Sequence, residues 1–192
     1  INTAMKDNQT IFLAAQKDAA KNEPSIIDLY RVGVIAKVVQ VLKQPENTTR
    51  IVIEGIKRAR IISPVFDENC LMASVEPIEE IIEPASARDS AVIRTVKSEF
   101  EKYLELSPKM PPDIIFKVAL CKSSGELADF IASNLVIDYQ QKQSVLEILD
   151  PTERLSSLLD VLVNENYILK LENEITRKAK MHVDDGQREY FL

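Results

Sequence analysis

The stretch from Asp150 to Leu192 constrains the fold more than any other part of the chain. It opens with Asp150-Pro151-Thr152-Glu153. Asp150 can accept from the free N–H groups of a first helical turn, Pro151 suits the first helical position, and Glu153 completes a capping box. After Pro151 there is no further proline, and the single glycine is Gly186. A helix running to Val183 would reach about 50 Å at ~1.5 Å per residue, more than a small domain is wide. Its first half is apolar (Leu155, Leu158, Leu159, Leu162, Val163, Tyr167, Ile168, Leu169). The second thins to Leu171, Ile175 and Ala179 among Lys170, Glu172, Glu174, Arg177, Lys178 and Lys180. One end is therefore expected to be buried and the other solvated. The tail Tyr190-Phe191-Leu192 has no stop signal, so the chain is expected to break off inside a connector.

The remainder divides by its hydrophobic period. Residues 1 to 7 read as the end of a helix, and Thr10 to Ala15 is an apolar run of strand length. Ile27 to Tyr30 reads as a turn or a single helical turn. Val32 to Leu42 is rich in β-branched residues; Gln44-Pro45-Glu46-Asn47-Thr48 is turn chemistry; Thr49 to Ile62 returns as a second strand. Two long strands around such a turn predict an antiparallel hairpin. Gly55 inside the returning strand predicts a bulge or a close backbone approach. Leu71 to Val75 is a further strand. Residues 1–80 thus form a β-rich lobe.

Pro77 and Pro84 bracket an acidic apolar joint, Ile78-Glu79-Glu80-Ile81-Ile82-Glu83. Beyond it the 3.6-residue period takes over. Ile93, Val96, Phe100, Tyr103 and Leu104 line one helix face. Pro111-Pro112-Asp113 launches a helix over Ile114 to Leu120. Ser123-Ser124-Gly125-Glu126 and Asp138-Tyr139-Gln140-Gln141 read as capping boxes for two more. Residues 81–150 are therefore a helical bundle and residues 151–192 the long helix. The fold class is α+β.

Composition and motifs exclude much. Hydrophobic content of 45% with 28% charged residues is globular composition. The net charge of −6 argues against nucleic acid as the main partner. No run approaches the length of a membrane span. Cys70 and Cys121 are expected to be buried, reduced thiols, which suits a cytosolic protein. The glycines Gly33, Gly55, Gly125 and Gly186 form no phosphate-cradling loop. His182, the only histidine, falls on a charged helix face, and the pairs Glu79-Glu80 and Asp184-Asp185 read as solvated charge. No catalytic, cofactor-binding or metal-ligating residue is assigned. Lys57-Arg58-Ala59-Arg60 is the one basic cluster, with Arg58 and Arg60 on one strand face. It is read as a sheet face with cross-strand ion pairs rather than a phosphate or acidic-peptide contact.

The hairpin carries a pattern. Asp28-Leu29-Tyr30-Arg31-Val32-Gly33-Val34-Ile35-Ala36 leads to Gln40-Val41-Leu42-Lys43-Gln44-Pro45, then to Ile51-Val52-Ile53-Glu54-Gly55-Ile56-Lys57-Arg58-Ala59-Arg60-Ile61. This resembles the N-terminal domain of Lon, the bacterial ATP-dependent serine protease. Phe12-Leu13-Ala14-Ala15-Gln16-Lys17-Asp18 and Glu126-Leu127-Ala128-Asp129-Phe130-Ile131-Ala132 fit the same family. So do Leu146-Glu147-Ile148-Leu149-Asp150-Pro151-Thr152-Glu153-Arg154-Leu155 and the ending Gln187-Arg188-Glu189-Tyr190-Phe191-Leu192. The resemblance runs from about residue 9 to the last residue. It implies a PUA-like β lobe whose first strand is missing here, a helical bundle, and a long helix leading to an absent ATPase module. It further implies an AAA+ parent with ATP and Mg and a Ser-Lys dyad, none of whose residues lie in this chain. The parent would be a cytoplasmic homohexamer that degrades unfolded, damaged or short-lived regulatory proteins.

The leading expectation is a binding module that captures exposed apolar segments of client proteins. Leu71, Met72, Ile81 and Ile82 are the candidate client contacts, in a groove between the lobes. Asp184, Asp185 and Gly186 are the candidate hinge. A second expectation is a structural one, in which the long helix pairs with neighbouring copies and supports hexamer assembly. A third, DNA or RNA binding by the β lobe, has little support from a net charge of −6 and few aromatics near Arg58.

Overall fold

The computed structural model describes residues 4–5, 8–43, 48–67, 70–80, 86–107, 111 and 113–190, with the backbone alone at 43 and 182–190. The chain divides into two compact units, Ile1–Glu80 and Ile81–Leu192. The four strands are β1 (Thr10–Leu13), β2 (Val32–Lys43), β3 (Thr49–Val65) and β4 (Met72–Pro77). They form one antiparallel sheet in the order β1-β2-β3-β4, as three successive hairpin neighbours must. The β2–β3 pairing runs from Val32 opposite Arg60 to Lys43 opposite Thr49. β3 extends to Val65, past the expected Ile62, because Val65 pairs with Met72 across the next turn. Of the expected helix over residues 1 to 7, only Ala4 and Met5 are described, and both are helical.

Gly55 behaves as the sequence predicts. Pairing passes from Ile35–Lys57 to Ala36–Gly55, so Ile56 is the extra residue of a bulge in β3. The closer backbone approach is at Gly33, where a Cβ would lie 2.2 Å from the Leu13 carbonyl oxygen and 2.7 Å from Phe12 Cζ. The loop before β2 contains a single 3-10 turn, Ile26–Asp28. Asp28 there accepts from Lys21 Nζ at 2.6 Å and from the Ser25 N–H at 2.8 Å. Those bonds, the lysine's first, hold its carboxyl far below the ordinary carboxylate range.

In the second unit the helices are α1 (Ala87–Leu106), α2 (Ile114–Leu120), α3 (Ser124–Asn134), α4 (Tyr139–Glu147) and α5 (Pro151–Tyr190). Val96, Phe100 and Tyr103 of α1 are buried against Leu127, Ile131, Leu155, Leu158 and Leu162, with Ile93 and Leu104 partly buried beside them. The 3.6-residue reading of α1 thus marks its core face. Tyr103 also reaches out of the core, where its hydroxyl accepts from the Val136 N–H at 3.1 Å and fixes the α3–α4 connection.

The helix starts follow the capping logic in part, with only the first half of the expected box formed at α3 and α4. Asp150 Oδ1 accepts from the Glu153 N–H at 2.7 Å, and Asp138 Oδ1 accepts from the Gln141 N–H at 2.7 Å. At α3, Ser123 Oγ accepts from the Glu126 N–H, but the Glu126 carboxylate takes the Lys122 N–H, one residue further out than a capping box requires. Asp113 does not cap α2: it adopts helical angles and pairs with Lys117 at 3.2 Å. Ser86 and Asp89 form a full capping box at α1, which the joint-like sequence around it conceals.

The long helix holds 40 residues, about 60 Å at ~1.5 Å each. Leu155, Leu158 and Leu162 are fully buried, whereas Leu171, Ile175 and Met181 are exposed. One end is in the core and the other in solvent, as its composition dictates. The backbone is helical past Val183, through Asp184, Asp185 and Gly186, to Tyr190.

Candidate functional site

The sheet ends in an apolar tip. Val65 closes β3 and Met72 opens β4, and the two face each other across the pair. Cross-strand partners share a sheet face, so both side chains stand on the same side. Phe66 follows Val65 and Leu71 precedes Met72, which brings four large apolar residues to one hairpin end. All are exposed: Val65 46%, Phe66 90%, Leu71 56% and Met72 46%. A solvated phenylalanine with three further exposed apolar residues at one hairpin end is the kind of feature that marks an interaction site.

The turn itself is polar and tied. Asp67 Oδ1 accepts from the Cys70 N–H at 3.1 Å, an arrangement in which a side chain substitutes for a backbone turn bond. Cys70 is exposed rather than buried, which corrects the sequence reading; only Cys121 is buried. Desolvation and the neighbouring Asp67 carboxylate push the Cys70 thiol up from its ordinary value.

Of the four residues expected to contact clients, Leu71 and Met72 belong to this tip. Ile81 and Ile82 lie outside the described residues. Val65 and Phe66 join them at this end through the β3–β4 register, which the sequence alone does not give. The available signal was Pro64-Val65-Phe66-Asp67, a break from alternating polarity just before a turn.

The basic cluster is consumed by the sheet. After β4, the Ile78 N–H donates to the Arg58 carbonyl at 2.9 Å, keeping the chain alongside β3. Glu79 then pairs with Lys57, and Glu80 with Arg58 at 3.1 Å. Arg60 stands opposite Glu76. The ion-pair reading of these residues holds, although Arg58 is largely buried rather than exposed. Among the described residues, no group of three or more His, Cys, Asp or Glu side chains could hold a metal ion. No helix among them is long and apolar enough to cross a membrane.

The arrangement of an antiparallel sheet with an apolar tip, then a helical unit ending in a long helix, can be compared with known proteins. Residues 1–164 match the family model described as the ATP-dependent protease La (LON) substrate-binding domain. The chain belongs to this family. It is 38% identical over 192 residues to the Lon protease of Bacillus thuringiensis (strain Al Hakam), and 35% over 193 residues to that of Escherichia coli (strain K12). All of this chain is covered in both alignments, but only 24% of each relative, so the chain spans about a quarter of their length. The fold is that of a solved N-terminal domain of a Mycobacterium avium complex Lon protease: TM-score 0.66 at 24% identity, covering 87% of this chain and 82% of that one. A Lon N-terminal domain protein from Xanthomonas campestris has a TM-score of 0.57 at 12% identity. The Lon likeness therefore extends to residue 1, eight residues further than the motifs alone reach.

Proposed function

We propose that this Lon substrate-binding domain captures exposed apolar segments of unfolded, damaged or short-lived regulatory proteins and presents them to an ATP-dependent peptidase in the bacterial cytoplasm. The observation that carries the reading is the apolar tip Val65, Phe66, Leu71 and Met72, exposed on a hairpin whose turn is held by Asp67. Folded proteins hide apolar residues and unfolded ones expose them, so a solvated aromatic-aliphatic patch distinguishes the two by hydrophobic transfer alone. In a whole protein about four times longer, ATP and Mg would serve the motor, and the chain's own part would be binding. The membership in a substrate-binding family supports this division of labour.

The test is a binding titration of the chain with fluorescent, reduced and carboxymethylated α-lactalbumin, a permanently unfolded probe. The double variant Phe66→Ser, Leu71→Ser is expected to bind roughly tenfold or more weakly, since two buried apolar side chains contribute about 1.5–3 kcal/mol each. Its melting temperature should be unchanged, because both side chains are exposed. Undiminished affinity in a folded variant would overturn the reading.

A second reading concerns assembly. Ile168, Leu171 and Ile175 recur at spacings of three and four along the solvated half of α5, all more than a third exposed. That is the seam of a helix pair, as required if the long helix supports a hexamer. Replacing Leu171 and Ile175 with Lys in the whole protein and measuring its mass by sedimentation checks it; an unaltered hexamer counts against it.

A further inference from the structure

The charge of the chain is unevenly spread. From Ile61 to Ala87 there are six acidic residues (Asp67, Glu68, Glu76, Glu79, Glu80 and Glu83) and no lysine or arginine. The rest of the chain balances at 24 of each sign, so this one stretch carries the whole net charge of −6. The apolar tip lies inside it. Away from the tip the acidic residues meet basic ones: Glu76 stands opposite Arg60, Glu79 pairs with Lys57, and Glu80 pairs with Arg58. In the turn between Phe66 and Leu71 the sequence places Asp67 and Glu68, with no basic residue beside them.

Asp67 is exposed, and its carboxylate is held in place. Oδ1 accepts from the Cys70 N–H at 3.1 Å and from the Cys70 thiol at 3.6 Å. A fixed negative charge therefore follows directly on the solvated Phe66. Along β3 and the segment bonded to it, basic residues begin only at Arg60 and at Arg31, whose carbonyl accepts from the Ile61 N–H at 2.8 Å. The backbone of Ile61 is four residues from Val65, about 14 Å at ~3.4 Å per residue, which exceeds the Debye length of ~8–10 Å at ordinary salt. The potential at the tip is set by its own acidic turn.

We propose that the tip selects, among unfolded segments, those whose apolar residues are flanked by lysine or arginine. The inference rests on the client-capture reading and names the class of client. Contact with Val65, Phe66, Leu71 and Met72 supplies the attraction common to all apolar segments. The acidic turn then discriminates among them, because a like charge brought to it is repelled and an opposite one attracted. Natural chains place charged residues beside their aggregation-prone apolar strands. When unfolding exposes such strands, those bounded by basic residues fit this tip and those bounded by acidic residues do not.

The experiment uses the 192-residue chain and three fluorescent peptides. All share one apolar core of leucine, valine and phenylalanine, flanked on each side by two lysines, two serines or two glutamates. At low salt the lysine-flanked peptide is expected to bind roughly tenfold more tightly than the glutamate-flanked one, with the serine-flanked peptide between them. In about 1 M salt, where the Debye length is ~3 Å, the three affinities should converge. Asp67→Asn with Glu68→Gln keeps an acceptor for the Cys70 N–H and removes both turn charges. It should narrow the low-salt gap to about twofold and leave the serine-flanked peptide unaffected. Equal binding of the three peptides at low salt would overturn the charge selection and leave client capture intact. A gap that persists in the double variant would place the deciding charge elsewhere and also overturn the proposal. Failure of the serine-flanked peptide to bind at all would overturn both readings.

Discussion

The Thr152 hydroxyl donates to Asp89 Oδ1 at 2.6 Å, joining the first turns of α5 and α1 across 63 positions of sequence. Asp89 is already the third residue of a capping box, in which Oδ2 accepts from the Ser86 N–H at 2.7 Å and Ser86 Oγ accepts from the Asp89 N–H. One carboxylate thus caps the start of α1 and anchors the start of α5. The Thr152 bond, and then the two Ser86 bonds, hold its carboxyl below the ordinary carboxylate range. A group with a depressed folded value adds stability above its unfolded value and loses it as pH falls through the folded one. Stability should therefore fall more steeply in the native chain than in Asp89→Asn as pH drops below about 4, the unfolded-state value. In Thr152→Val the loss should be smaller and complete at a higher pH, because the largest cause of the depression is gone. Urea midpoints measured at successive pH values check both, and parallel curves for all three chains would refute the coupling.

Gly33 and Gly55 make a matched pair. A Cβ at Gly33 meets backbone, the Leu13 carbonyl oxygen at 2.2 Å, whereas one at Gly55 meets only Val34 Cγ1 at 3.4 Å. Backbone in a paired strand has little freedom to move aside. Gly33→Ala is expected to displace β1 and cost on the order of 2–3 kcal/mol, the usual scale of overpacking. Gly55→Ala should stay within about 0.5 kcal/mol, as ordinary surface changes do. Thermal melts rank the two variants, and amide exchange at Thr10–Leu13 shows whether β1 is the element released.

Arg154 is fully buried on α5, with Nη1 donating to the Ile148 carbonyl at 3.0 Å and Nε 3.3 Å from Asp129 Oδ1. The partners are unequally placed, since Asp129 is 45% exposed and can be hydrated when the arginine is lost. Arg154→Ala should cost about 2–4 kcal/mol, from the cavity it leaves and the unsatisfied Ile148 carbonyl. Asp129→Ala should cost about 1 kcal/mol or less, because the arginine keeps its carbonyl bond and the lost pair was half solvated. Denaturant unfolding gives both numbers. Equal costs would mean that the ion pair, rather than packing and the carbonyl, holds this corner.

The elements legible in the sequence were those whose burial is one-sided. Val96, Phe100 and Tyr103 share a helical face because that face alone meets the core, so their spacing reported it. The β2–β3 hairpin was legible for a similar reason, its strands being long and β-branched on either side of a strong turn. What could not be read depended on register between distant segments. Phe66 becomes part of a patch only when Val65 pairs with Met72, and Lys57 finds Glu79 only because Ile78 stays bonded to Arg58. Cys70 was misjudged because apolar neighbours in sequence, here Leu71 and Met72, are themselves exposed. Ser86 was passed over because Pro77 and Pro84 made the whole segment look like a joint.

The candidate hinge Asp184-Asp185-Gly186 lies where α5 has left the core behind. Its backbone is helical, and the helix continues to Tyr190. Helical geometry and helical stability are separate quantities: an isolated helix of this length is marginal in water, and tertiary burial supplies most of the stability of helices in proteins. That burial ends early, since Leu158 and Leu162 are fully buried while Ile175 is 66% exposed and Met181 60%. Gly186 adds a cost of about 1 kcal/mol relative to alanine in a helix interior. Amide exchange at the three positions is therefore expected to be at least about a hundredfold faster than at Leu158 and Leu162, which open only with the core. Gly186→Ala should slow it by roughly fivefold, the equivalent of that local cost. Protection equal to that of Leu158 in the native chain would show that α5 is rigid throughout and that the bend, if the whole protein needs one, lies elsewhere.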